Sequence, residues 1–333
     1  MTSDLATAKD ERVLPQRSAS VLANVAILYY KDGLTQGEIA KRIGVSRATV
    51  VNYLRQAREQ AIVDIRINGA SFSVSKLSKD LREAYRLEDV YIASVYPGPD
   101  VNPEKLARDV RRQVARVGAM AVYDLVQPGD VLGVAWGETI QWLSEEMPRG
   151  NVRNLTICQM IGSMKSPLLP AAETSSIRIA SSLGADCYTL HAPAILSSRE
   201  IAEALKNEPI IHTQLQKLGE LTKTLFSVGN CSETTHLVQS GIVDAEELHA
   251  YRRQGAVGVI CGRFIDVHGR HVVGEMDARM IGVTPEGIKA ASCGVMVASG
   301  VDKIEAIKAA LAGGYANYLV TDETTGKLLL DKA

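Results

Sequence analysis

From residue 88 onward, short apolar runs alternate with segments whose apolar positions recur every three or four residues. The runs at 89–94, 130–135, 154–161, 186–190, 223–228, 257–265, 293–298 and 317–320 predict strands. The periodic segments at 103–126, 138–147, 172–183, 198–206, 235–240, 245–252, 302–312 and 323–330 predict helices. Parallel strands need long crossovers, and crossover helices cover both faces, so this order predicts a mainly parallel α/β sheet. The stretch 262–274 breaks the alternation. There Phe264–Val267 and His271–Val273 flank His268-Gly269-Arg270 and predict a hairpin.

The first part of the chain reads differently. Val21, Val25 and Leu28 share one helical face, as do Ile39, Ala40 and Ile43, and then Val50, Leu54 and Ala57. Thr35 followed by Glu38 has the spacing of a capping box. Gly44 suits a left-handed helix end, and Ser46 can cap the helix that starts at Arg47. Three short helices with a glycine turn between the last two predict a helix-turn-helix. Ile62–Ile67 alternates and predicts a wing or exit strand. Leu77, Leu81 and Tyr85 form one stripe on a linker helix. Its partner is either the next domain or the same helix of another subunit. The expected organisation is an arm at 1–18, a helix-turn-helix domain at 19–70, a linker helix at 71–87 and an α/β domain at 88–333.

The chemistry of the first domain follows from its charge. Lys41, Arg42, Arg47, Arg55 and Arg58 fall in one stretch without an acidic residue, in a chain whose net charge is −1. A local basic surface therefore stands in for a globally basic protein. The second helix of such a pair enters the major groove. Arg47, Thr49, Asn52 and Tyr53 are expected to point outward to base edges, arginine towards guanine and asparagine towards adenine. Gln36, Lys41 and Ser46 are expected on phosphates, with Arg55 and Arg58 further along the backbone. The alternative is a small helical packing domain with a basic surface.

In the larger domain, Asp130–Ile140 (DVLGVAWGETI) predicts a strand, a glycine turn and a helix start. Gly133 and Gly137 are expected to let backbone approach a ligand, and the helix N–H groups with Thr139 suit an anion. Neither nucleotide glycine fingerprint is present. Tight packing is the competing reading, and Glu138 would repel a phosphate unless it turns away. His191 follows a strand and is expected to border the same pocket. Trp136, Trp142, Met160 and Met164 read as core or pocket wall. Asp266, His268 and His271 form no convincing metal set, and no metal or cofactor is expected.

Composition narrows the classes. Five cysteines lie far apart without a C-x-x-C pair, which disfavours disulfides or structural zinc and fits a reducing cytoplasm. No apolar run is long enough to span a membrane, and the first twenty residues lack a signal-peptide core. Aromatic residues make up 5%, which argues against a stacking platform for single strands.

Six separated segments carry a family resemblance: Ala57–Ile67, Val134–Ile140 (VAWGETI), Gln159–Ser163 (QMIGS), Gly255–Gly269 (GAVGVICGRFIDVHG), Val297–Gly314 (VASGVDKIEAIKAALAGG) and Tyr318–Leu330. In this order the chain resembles the SorC family of bacterial sugar-responsive transcriptional regulators over residues 20–330. The resemblance implies a Rossmann-like effector domain similar to the sugar-phosphate isomerase and deaminase fold, sensing a ligand without turning it over. It implies a homotetramer on double-stranded operator DNA, acting as a repressor of a carbohydrate or polyol operon. The effector would be a sugar, polyol or sugar phosphate. Trp136, Gly137, Glu138 and Thr139 would hold its polar head, Gln159 and Ser163 would line the rim, Asp266 would take sugar hydroxyls and Lys303 would meet an anionic group. Val51-Asn52-Tyr53 departs from the frequent Ser-Arg-Leu, and Ser163 and Ser299 stand where glycines are frequent. The alternative class is a sugar-phosphate isomerase or deaminase carrying a DNA-binding head.

Overall fold

The structure is a computed structural model that describes residues 19–60, 62–63, 76–95, 102–164, 171–233, 235, 238 and 243–331. The expected arm at 1–18, the wing beyond residue 63 and most of the predicted helix at 235–240 lie outside these residues. Contacts divide the chain into two units, Met1–Ile67 and Asn68–Ala333.

The first unit holds α1 (Ala19–Ala26), which runs into a wider π turn at Ile27–Lys31, then α2 (Gln36–Ile43) and α3 (Arg47–Glu59). Thr35 accepts from the Glu38 N–H, and the Glu38 carboxylate accepts from the Thr35 N–H at 2.8 Å, closing the capping box. Gly44 ends α2 with φ of 70°, a left-handed conformation that costs glycine little. Ser46 caps α3 by accepting the Thr49 N–H at 3.0 Å. Leu22, Val25, Ile39, Val50, Leu54 and Ala57 close a small core. Tyr53 joins them at 7% exposure. Its expected outward position is therefore corrected: Tyr53 is one residue from Leu54 and three from Val50, and its ring completes their apolar face.

The second unit is built on a seven-stranded, wholly parallel sheet in the order β1-β10-β9-β5-β2-β3-β4. Along the chain come α4 (Lys76–Tyr85), β1 (Asp89–Ala93), α5 (Pro103–Leu125), β2 (Val131–Val134), α6 (Glu138–Glu145), β3 (Thr156–Gln159), α7 (Ala172–Leu183) and β4 (Asp186–Tyr188). Then follow α8 (Arg199–Lys206), α9 (Pro209–Lys217), β5 (Lys223–Phe226), β6 (Gly229–Asn230), α10 (Ala245–Arg253), β7 (Ala256–Ile260) and β8 (Arg263–Asp266). The chain continues with α11 (Glu275–Arg279), α12 (Pro285–Ala290), β9 (Cys293–Val297), α13 (Ile304–Ala312), β10 (Tyr318–Asp322) and α14 (Glu323–Asp331).

Strand alternation splits the core into two layers. Val90 and Ile92 join the layer that contains Leu81, Ile307 and Leu329, whereas Tyr91 and Ala93 face Val114, Ile140 and Ile179. Within the unit, α4 docks on α14 and β1. Gly326 lies against Leu77 and Leu81, the Ser78 hydroxyl donates to the Val90 carbonyl at 2.5 Å, and the Tyr85 hydroxyl donates to that of Leu329 at 2.8 Å.

The apolar run expected as one strand at 257–265 is two. It turns back at Cys261-Gly262, and β6-β7-β8 form a separate antiparallel sheet. The expected hairpin about His268-Gly269-Arg270 survives as a single bridge between Ile265 and His271. Helices α9, α11 and α12 were not expected; each is nine residues or shorter.

Asp277 of α11 ties the small sheet together. Its carboxylate accepts from the Arg263 guanidinium and His271 Nε2, both at 2.8 Å, from the Tyr251 hydroxyl at 2.9 Å and from the Gly274 N–H at 2.8 Å. Burial opposes its charge, but these donors outweigh burial and hold the acid below its ordinary value. A carboxylate depressed in this way stabilises the fold fully above the unfolded value near 4, and that support is lost as pH falls through the folded value. Asp277→Asn is expected to lower stability by about 3 kcal/mol at pH 7 in urea unfolding, with the difference shrinking in acid. A loss below about 0.5 kcal/mol would rule out this anchoring role.

Candidate functional site

The first candidate surface is the face of α3. Lys41, Arg42, Arg47, Arg55 and Arg58 are all exposed. Arg47 Nε donates to Gln36 Oε1 at 3.4 Å, which joins the start of α2 to the start of α3. The Ser46 and Thr49 hydroxyls share a hydrogen bond of 2.7 Å, so both already serve the cap. Arg55 donates to Asn52 Oδ1 at 2.8 Å and lies 3.5 Å from the Glu59 carboxylate. That bond leaves the Asn52 amide with its N–H donors free. The two-bond reading of adenine expected from the sequence needs the oxygen as acceptor too.

The second candidate site lies in the other unit. In the sheet order, β2 is flanked by β3 and β5, so the chain leaves β2 in one direction and later returns on its other side. Loops from the carboxyl ends of such strands diverge and leave a crevice. A cavity of about 730 Å³ occupies this place. Its rim comes from Trp136–Thr139 after β2, Ser227–Asn230 after β5, Ser299–Lys303 after β9, and Asp322, Thr324 and Thr325 at the end of β10. Leu106, Val110 and Arg111 of α5 form one wall, and Ile161, Met164 and the Cys261-Gly262 turn form another.

Gly137 has φ of 144°, and a side chain there would meet no atom within 4 Å. Backbone conformation, not crowding, therefore demands glycine where α6 begins. Gly133, expected to admit a ligand, is instead a packing residue: an added Cβ would lie 2.7 Å from Met160 Sδ and 2.9 Å from Leu221.

Two cations reach the cavity. The Lys303 ammonium is held below its ordinary value by burial, partly offset by Asp302 and Glu138, while Arg111 lowers it further. The Arg111 guanidinium lies 5.7 Å from the Trp142 ring centre. Three carboxylates line the same cavity, Glu138, Asp302 and Asp322. Asp302 accepts from Asn230 Nδ2 at 2.7 Å, and Asp322 accepts the Thr324 and Thr325 N–H groups at 2.9 and 3.0 Å. The Cys261 thiol is pushed up to about 12 by burial, which leaves it protonated and weakly nucleophilic at neutral pH. This arrangement can hold a compact polar anion, with apolar walls for its carbon skeleton.

The structure brings Trp136, Gly137, Glu138, Thr139 and Lys303 together, and separates four other expected residues from them. Gln159 is 2% exposed; its amide donates to the Ile161 carbonyl at 2.7 Å and accepts the Leu190 N–H at 3.0 Å, bracing β3 against the strand beside it. Ser163 donates to Glu173 at 3.0 Å and does not line the cavity. His191 is exposed beside Thr189 and stands outside it as well. Asp266 lies at the far end of β8 from the Cys261-Gly262 turn. There it pairs with Arg270 at 2.7 Å and accepts the His268 and Arg270 N–H groups at 2.9 Å. The unexpected fold-back of β7 on β8 is what carries it away.

Sequence reasoning missed Arg111, Asn230, Asp302 and Asp322. The available signal was positional: each of the last three follows or ends a strand of one of the two sheets. Arg111 had no such signal, since it lies among other arginines on a long helix.

Comparison with known proteins supplies the remaining observation. The Sugar-bind family model, described as "Putative sugar-binding domain", matches residues 71–331. The "Uncharacterized transcriptional regulator YjhU" of Escherichia coli is 38% identical over 304 residues, covering 91% of this chain and 92% of the relative. The deoxyribonucleoside regulator of Bacillus subtilis is 27% identical over 307 residues, covering 92% and 96%. The crystal structure of the full-length sorbitol operon regulator SorC from Klebsiella pneumoniae superposes with a TM-score of 0.77 at 26% identity, covering 95% of this chain and 100% of that one. The chain thus matches named regulators over nearly its full length. The chain belongs to the SorC family of transcriptional regulators, with its sugar-binding domain in residues 71–331.

Proposed function

We propose that this regulator is a cytoplasmic repressor that binds a palindromic operator as a homotetramer and responds to a sugar, polyol or sugar phosphate. The observation that carries the reading is the pairing of Lys303 and Arg111 in one crevice with Gly137 at a helix start. Two cations, backbone N–H groups and apolar walls suit a small polyhydroxylated anion. On the same chain, Arg47 and its basic neighbours face outward from a helix of groove-reading geometry. Effector binding changes operator affinity only as far as the effector prefers one arrangement of the subunits. The ligand is sensed and released unchanged; that the matching relatives are named regulators favours this over the isomerase or deaminase alternative.

A thermal-shift screen of free and phosphorylated pentoses, hexoses and polyols tests this reading. A true effector at a hundred times its Kd adds about 2.7 kcal/mol, equivalent to a Tm increase of about 5 °C or more for a unit of this size. The same compound should weaken operator binding. Steady conversion of the compound by the purified chain, or no shift from any member of the panel, would overturn the proposal.

A further inference from the structure

The outward face of α3 carries a feature that its polar residues do not explain. Val51 is 46% exposed, in the middle of a line formed by Arg47, Val51 and Arg55 at intervals of one helical turn. Ala48, three residues before it, is also exposed on this side. The residues buried in the core, Val50, Leu54 and Ala57, lie on a neighbouring side of the helix. Valine lowers helix propensity, and the core does not use this one.

The polar groups flanking it share one chemistry. Arg47 and Arg55 only donate hydrogen bonds, and Asn52 has its oxygen engaged by Arg55, which leaves its N–H donors. Donors suit the N7 and O6 acceptors of guanine, and they match the lone acceptors of adenine and thymine less selectively. Selection of an A·T pair on such a face falls to the one feature of the major groove that is apolar, the thymine methyl.

We infer that Val51, backed by Ala48, reads a thymine methyl near the centre of each operator half-site. The inference rests on the DNA-binding reading proposed above. It also fixes a spacing. Residues four apart in a helix are separated by about 6 Å, and stacked base pairs by about 3.4 Å. With α3 laid along the groove, the thymine lies within about two base pairs of a guanine read by Arg47.

The test uses the intact chain. A duplex is selected from a random-sequence pool by repeated binding, and each thymine in it is then replaced by uracil, which removes the methyl and nothing else. One such replacement per half-site is expected to weaken binding about three- to tenfold, the effect of one or two buried methyl contacts. Val51→Ala, which favours the helix and should fold, is expected to show a clearly smaller difference between the thymine and uracil duplexes. Equal binding of both duplexes by the unaltered chain, or an unchanged thymine preference in Val51→Ala, overturns the inference while leaving DNA binding intact. Failure to enrich any duplex overturns the DNA-binding reading, and this inference with it.

Discussion

Arg47→Ala is expected to remove sequence-specific operator binding while leaving the effector response of the other unit untouched. Arg47 is exposed at the first turn of α3, where a groove-reading helix brings side chains to base edges, and its Nε already reaches Gln36 on the neighbouring helix. A two-bond arginine–guanine contact is worth about 1–3 kcal/mol, and the lost charge also costs a released counterion. Operator affinity should therefore fall by about 10- to 100-fold towards the nonspecific level, with a shallower salt dependence. Arg47 takes no part in the core, so thermal stability should stay within about 0.5 kcal/mol. Gel-shift titration at two salt concentrations, with and without effector, measures each part. An unchanged footprint would move recognition away from this helix.

The second large effect is expected at Lys303. Lys303→Ala should abolish the ligand-induced thermal shift and the ligand's effect on DNA, while operator binding without ligand remains. Burial in the cavity works against the Lys303 charge, partly offset by Asp302 and Glu138, and Arg111 adds repulsion. An anionic effector would reverse that balance by placing an opposite charge on the ammonium. Removing the amine then costs ligand affinity about 2–5 kcal/mol, or roughly 30-fold to several thousandfold. It also relieves the unliganded cavity of a poorly solvated cation, so the free variant should melt no lower than the parent. A calorimetric affinity within threefold of the parent's would place the ligand elsewhere. Combined with Arg47→Ala, the two changes separate the functions, since each should spare what the other destroys.

Part of this site was legible because the information is local. A cap, a glycine with a left-handed backbone and apolar spacing of three to four lie within a few residues of one another, and Thr35, Gly44 and Ser46 occupy the predicted cap positions. Trp136–Thr139 was likewise a local strand-turn-helix pattern. Tyr53 was misread because aromatic residues with a polar tip suit both a core and a surface. Asp266 was assigned through the family resemblance alone, and the local pattern does not show where the fold-back at Cys261-Gly262 carries it. Once β7 folds back on β8, the glycine turn reaches the cavity and the carboxylate points to the opposite end.

The amino-acid order alone determined the helix-turn-helix, the parallel α/β architecture and the turn at Gly137, because each depends on short-range periodicity and backbone preference. Tertiary structure alone decided which side chains share the crevice. Arg111, Asn230 and Asp322 join Trp136–Thr139 and the Asp302-Lys303 pair from distant parts of the chain. They converge because the order of strands about β2 opens a gap between diverging loops, and strand order is set by long-range packing that no local pattern encodes.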